Sequence, residues 1–123
     1  MTSKKKVLII EDEEVCAQLV DLVINKSGIE VIIAADGNEG VEKAISERPD
    51  LIFLDIMLPG MNGYDIIKRL KNDPVLAAIP IVVVSARAGE DGRRLVRDTG
   101  CQEFIPKPFK VAQIRSALER LIG

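Results

Sequence analysis

Four short runs without a polar residue constrain this chain most: Val7-Leu8-Ile9-Ile10, Val31-Ile32-Ile33-Ala34, Leu51-Ile52-Phe53-Leu54 and Ile81-Val82-Val83-Val84. A strand with one face in water alternates apolar and polar side chains. Uninterrupted runs of four, rich in β-branched residues, therefore predict strands buried on both faces. Gln102 to Ile105 is a weaker fifth run. Amphipathic segments lie between the runs. In the first, Val15, Leu19, Leu22 and Val23 recur at helical spacing, with Gly28 as a stop; in the second, Gly40 to Ile45 leads to a break at Pro49. A third runs from about Tyr64 to Lys71, ahead of Pro74, and a fourth covers roughly Glu90 to Thr99. The last sets Val111, Ile114, Leu118 and Leu121 against outward charges. Strand followed by helix, five times over, predicts an α/β fold: a doubly wound, five-stranded parallel sheet with helices on both faces. The fourth helix is the weakest, because Gly89 and Gly92 sit at or near its start and an interior glycine costs about 1 kcal/mol relative to alanine. It is the element expected to move.

At 123 residues there is room for one domain, and 47% apolar with 29% charged residues predicts a packed core. The most informative count is the absence of histidine. It removes Ser-His-Asp and Cys-His catalysis, His-ligated metals and any autophosphorylating histidine within this sequence. Acid, base or metal chemistry must come from carboxylates. Aromatic residues make up only 3%, too few for stacking platforms, and the net charge of −2 gives no case for nucleic-acid or membrane attraction. The charge is unevenly spread: residues 1–84 hold 9 basic and 14 acidic side chains, residues 85–123 hold 8 and 5. Cys16 and Cys101 match no metal or redox spacing and read as reduced, buried thiols. The apolar run behind Lys4-Lys5-Lys6 is too short for a signal core or a membrane span, and a cytoplasmic location is expected.

In an open parallel sheet, ligands bind outside the carboxyl ends of the strands. Here the first strand ends in Glu11-Asp12, the third in Asp55, the fourth in Ser85-Ala86 and the fifth in Lys107-Pro108. Two like charges about 4 Å apart repel by roughly 4 kcal/mol at an effective dielectric near 20, so three converging carboxylates call for a cation. With oxygen donors and no histidine or cysteine, Mg²⁺ is the natural choice. Taken alone, Glu11-Asp12 reads equally well as a solvated turn or a helix cap, and Asp55 is what tips the balance. A dinucleotide-binding fold shares the sheet rhythm. It fails at the first turn, where Glu11-Asp12-Glu13-Glu14 replaces the glycine-rich loop and would repel a pyrophosphate. An aspartyl phosphatase of the haloacid dehalogenase type would need a second aspartate two residues after Asp55, where this chain has Met57.

Over almost its whole length the chain resembles the receiver domain of two-component response regulators, a CheY-like, flavodoxin-like (βα)5 fold. The likeness rests on Val7-Leu8-Ile9-Ile10-Glu11-Asp12-Glu13, on Asp55-Ile56-Met57-Leu58-Pro59-Gly60-Met61-Asn62-Gly63, on Val84-Ser85-Ala86 and on Phe104-Ile105-Pro106-Lys107-Pro108-Phe109. Residues 1–123 would then be one receiver domain. The resemblance implies that Asp55 accepts a phosphoryl group from a phosphohistidine on a sensor kinase or phosphotransfer protein. Glu11, Asp12, Asp55 and the backbone carbonyl of Met57 would hold Mg²⁺. Lys107 would pair with phosphoryl oxygens, Ser85 would donate a hydrogen bond to one of them, and the Lys107-Pro108 peptide bond would be cis. Phe104, in isolation a core or edge aromatic, becomes by the same resemblance a switch residue that moves with Ser85. A downstream target would bind the fourth helix, fifth strand and fifth helix, where Arg87, Arg93, Arg94 and Arg97 lie, although such a basic stretch read alone is a solvated face. The sequence departs mildly from the commonest pattern, with Glu-Asp for Asp-Asp, Ser for Thr and Phe for Tyr. The alternatives are a receiver-like scaffold that is never phosphorylated and the aspartyl phosphatase. The expected role is a switch, with no catalysis beyond its own phosphorylation and dephosphorylation.

Overall fold

A computed structural model describes residues 4–25, 28–55, 63–86, 94 and 96–122. Met57, Arg87, Gly89, Gly92 and Arg93 lie outside the described residues.

The five apolar runs form five parallel strands: β1 (Lys6–Ile10), β2 (Glu30–Ala34), β3 (Leu51–Leu54), β4 (Ile81–Ser85) and β5 (Glu103–Pro106). They alternate with helices α1 (Glu14–Asn25), α2 (Gly37–Glu47), α3 (Gly63–Asn72) and α5 (Val111–Ile122). Residues 94 and 96–99 are also helical and belong to α4. The strand order is β2-β1-β3-β4-β5, the flavodoxin-like winding.

The runs of β1, β3 and β4 are buried on both faces, as expected, and the strand's two-residue period divides them between two cores. Leu8, Ile10, Ile52, Leu54, Ile81 and Val83 pack on one side with Val41 and Ala44 of α2 and Ile66, Ile67 and Leu70 of α3. Val7, Ile9, Leu51, Phe53, Val82 and Val84 pack on the other with Ala17, Val20 and Ile24 of α1 and Ile114, Ala117 and Leu118 of α5. Each fully buried side chain of this size contributes about 1.5–3 kcal/mol, so these strands are the main apolar support of the site edge.

Four expectations need correction. β2 is an edge strand and its run is only partly buried, with Ile33 36% exposed and its carbonyl accepting a 2.8 Å hydrogen bond from Lys43 Nζ. The buried face of α1 is Ala17, Val20, Val23 and Ile24, while Val15, Leu19 and Leu22 are exposed at 69%, 49% and 60%. Val111 of α5 is likewise exposed, and of the two thiols Cys101 is buried whereas Cys16 is half-buried.

Local signals explain the helix ends. Asp36 caps α2 by accepting from the Glu39 amide at 2.8 Å. The helix stops at Arg48, in the left-handed conformation, directly before Pro49. Gly40 lets α2 close on β1: a Cβ there would lie 2.5 Å from Ile10 Cδ1, so no larger residue fits without displacing the residue that precedes Glu11.

Candidate functional site

The winding direction reverses between β1 and β3, since α1 leads from β1 outward to β2 and the chain then returns to the other side of β1. The crevice at such a reversal is where doubly wound sheets bind ligands. Glu11 and Asp55 are the first residues after these two strands. The sheet ladder runs one residue further through them: Glu11 N donates to Ala34 O and Asp55 N donates to Ile10 O, both at 3.0 Å. Lys107 N donates to Ser85 O at 2.8 Å in the same manner across β4 and β5. Backbone hydrogen bonds therefore hold the main chain at each of these three side chains.

The side chains converge as the sequence predicts. Glu11, Asp12 and Asp55 each offer a carboxylate oxygen, and these oxygens lie within 4.8 Å of one another. Glu11 and Asp55 are buried at 6% and 5% exposure, and Asp12 is open to solvent. Lys107 reaches between the buried pair, its Nζ 2.8 Å from Glu11 Oε2 and 3.1 Å from Asp55 Oδ2. The second oxygen of Glu11 accepts from the Glu13 amide at 3.1 Å. The Lys107-Pro108 peptide is cis, as expected. Ser85 is fully buried at the end of β4. Phe104 is half-buried on β5 and packs with Val96 of α4 against the α2–α3 side of the core. Arg94 and Arg97 are exposed on α4.

Lys107 contacts only the two buried carboxylates, and the cluster as a whole sets one ammonium against three acidic side chains. Burial raises the Glu11 carboxyl above its ordinary value, against the opposing hydrogen bonds of Lys107 and the Glu13 amide; the Asp55 charge adds to the rise. Burial alone would lower Lys107. The hydrogen bond to Glu11 and the charge of Asp55 outweigh it and hold the ammonium well above the ordinary lysine range. The donor set of hard oxygens carrying excess negative charge fits a divalent cation of the Mg²⁺ type.

Sequence reasoning missed two neighbours of Lys107, Cys16 and Leu19. Cys16 and Leu19 of α1, with Ala86, Lys107, Pro108 and Phe109, line a concavity of about 390 Å³ beside the carboxylates. Their only signal was position: Cys16 lies in the first turn of the helix that follows Glu11. Burial raises its thiol, and the nearby Lys107 charge counters part of that rise.

Comparison with known proteins agrees with this geometry. The family model described as the response regulator receiver domain matches residues 7–119. The polar-differentiation response regulator DivK of Brucella anthropi is 36% identical over 119 residues, covering 97% of each chain. The alkaline phosphatase synthesis transcriptional regulatory protein PhoP of Bacillus subtilis is 33% identical over 118 residues, 96% of this chain; this chain spans 48% of PhoP's length. Among solved structures, the receiver domain of sensor histidine kinase PA1611 from Pseudomonas aeruginosa, with a magnesium ion coordinated in its active-site cleft, superposes with a TM-score of 0.87. It is 28% identical, and the match covers 98% of this chain and 99% of that one. The chain belongs to the response regulator receiver family, whose members act as signalling switches in two-component systems. Among the described residues no helix is long and apolar enough to cross a membrane.

Proposed function

We propose that residues 1–123 form one receiver domain that takes a phosphoryl group onto Asp55 from a phosphohistidine of a sensor kinase or phosphotransfer protein. The observation that carries this reading is the setting of Asp55: a buried carboxylate 3.1 Å from Lys107 Nζ, grouped with two further carboxylates at the reversal of the sheet. In the transfer, an Asp55 carboxylate oxygen attacks phosphorus and the phosphorus–nitrogen bond breaks. The bonding pair stays with the imidazole nitrogen, which takes up a proton. Residues 1–123 contain no histidine, so the donor imidazole lies outside them.

Glu11, Asp12 and Asp55, joined by the backbone carbonyl of Met57, would hold Mg²⁺. Bound there, the ion neutralises charge on the transferring phosphoryl oxygens. Lys107 pairs with one phosphoryl oxygen as a point charge, and the Ser85 hydroxyl donates to another. Drawing Ser85 toward the phosphoryl group alters the packing available to Phe104, the switch aromatic. The output face is α4, β5 and α5, with Arg87, Arg93, Arg94 and Arg97 meeting an effector protein; the exposure of Arg94 and Arg97 supports it. Replacing both Arg94 and Arg97 with alanine weakens effector binding by the phosphorylated form in a pull-down, and undiminished binding places the output face elsewhere. The chain acts in the cytoplasm, where kinases are charged from ATP, and catalyses only its own phosphorylation and dephosphorylation.

The test is incubation with Mg²⁺ and acetyl phosphate, followed by intact mass. A single acid-stable, base-labile phosphoryl group is expected on the wild type and none on Asp55→Asn. Absence of an adduct on the wild type leaves only the unphosphorylated scaffold. Sustained turnover of many phosphomonoesters identifies a phosphatase instead.

A further inference from the structure

We infer that Glu11 is a positioning residue that holds Lys107 in the cation-free protein, so that a divalent cation and the lysine ammonium compete for the same carboxylate. Both Glu11 oxygens are already engaged, Oε1 by the Glu13 amide at 3.1 Å and Oε2 by Lys107 Nζ at 2.8 Å. Lys107 is closer to Glu11 than to Asp55, its 3.1 Å partner. The three side chains are 6%, 13% and 5% exposed for Glu11, Lys107 and Asp55, which leaves little water to screen one charge from another. Two cations cannot share one buried carboxylate oxygen without strong mutual repulsion. A cation taken through Oε2 displaces Lys107 outright, and one taken through Oε1 sits on the same carboxylate as the ammonium and repels it. Lys107 keeps its bond to Asp55 and is left as a single-partner ammonium beside the phosphoacceptor.

Side-chain length is what makes the contact. An aspartate at this position is shorter by one carbon–carbon bond, about 1.5 Å, and cannot keep a 2.8 Å contact with Lys107 from the same backbone. The backbone has little freedom to compensate, because Glu11 N is tied to Ala34 O. The glutamate thus sets a threshold: cation affinity is lowered by the strength of the Lys107 contact, and cation uptake is the event that takes Lys107 off Glu11 and leaves it on Asp55 alone.

The inference rests on the proposed cation site at Glu11, Asp12 and Asp55, and calorimetric titration of the full chain with Mg²⁺ alone tests the two separately. Asp12→Asn weakens Mg²⁺ binding at least tenfold if the carboxylates are the site, by the roughly tenfold per 1.4 kcal/mol relation for losing a charged ligand. Unchanged binding overturns the site itself. Given the site, Glu11→Asp tightens Mg²⁺ binding about fivefold in the presence of Lys107, within the coupling range for contacting residues. In a Lys107→Met background the same change gives no tightening. Equal effects in both backgrounds, or weaker binding by Glu11→Asp alone, overturn the competition. A second readout needs no variant: the Lys107 ammonium signal, followed by NMR of lysine-labelled wild type, shifts with Mg²⁺ along the same isotherm as calorimetry. A Lys107 signal unmoved at saturation also overturns it.

Discussion

β1 has a lysine set between two carboxylates at each of its ends. At the amino end, Lys6 Nζ lies 3.3 Å from Glu47 Oε1 and 3.8 Å from Glu30 Oε2. At the carboxyl end, Lys107 Nζ lies 2.8 Å from Glu11 Oε2 and 3.1 Å from Asp55 Oδ2. The chemical groups are nearly the same. Exposure separates them: 37%, 41% and 51% for Lys6, Glu47 and Glu30 against 13%, 6% and 5% for Lys107, Glu11 and Asp55. Water screens the first trio and side-chain entropy opposes it, so it adds little to stability. The second has lost most of its water. Lost water and close charges together displace the ionisation of Glu11 and of Lys107. Burial, more than the choice of residues, makes one end of the strand a surface and the other a site.

The largest expected effect comes from removing the buried lysine. Lys107→Met leaves two buried carboxylates without their counter-charge and lowers the unfolding free energy by about 3 kcal/mol in urea melts without divalent cations. A loss below about 1 kcal/mol, the range of exposed pairs, would erase the distinction between the two ends. The loss also depends on pH. The Glu11 carboxyl already binds its proton more tightly folded than unfolded, and without Lys107 this difference widens. Lowering the pH from neutral through the raised Glu11 range toward the ordinary 4.5 therefore restores part of the stability of the variant. Lys6→Met, the matched change at the amino end, costs less than about 1 kcal/mol and shows no comparable recovery. The smallest effect is on Cys16, whose thiol is pushed up by burial and pulled partly back by the Lys107 charge. Lys107→Met raises the thiol further, so alkylation of Cys16 by iodoacetamide at pH 8 slows by about twofold or more, since only the thiolate reacts. Lys6→Met leaves that rate alone; equal slowing by both variants would mean the thiol does not sense its neighbour.

The strands were legible because two-sided burial demands an apolar residue at every position, which leaves an unbroken run. Their carboxyl ends were legible for the same reason: Glu11, Asp55 and Ser85 are the first polar residues after, or at the close of, such runs. α1 was misread for a reason its sequence makes plain. Glu14–Asn25 reads EVCAQLVDLVIN, and it contains two apolar stripes. Val15, Leu19 and Leu22 fit helical spacing as well as Ala17, Val20 and Ile24 do, so the period alone could not set which stripe faces inward. Docking against the sheet and α5 selected the second. β2 was misread because an edge position is a property of strand order, and its run resembles those of the central strands. The fifth strand begins one residue later than Gln102, whose side chain instead accepts from the Ile81 amide at 2.7 Å.

The sequence by itself determined the alternation of strand and helix, the parallel sheet, and which carboxylates, hydroxyl and lysine stand at the strand ends. These are local properties, carried by the period of apolar residues and by the first polar residue after each run. Only the tertiary structure decided the strand order, the inward face of α1 and the partners of Lys107. Glu11 and Lys107 are 96 residues apart in the chain, and their 2.8 Å contact depends on β1 and β5 being placed in one sheet. Distances between elements, and the loss of water that gives a charge its strength, come into being only when those elements pack.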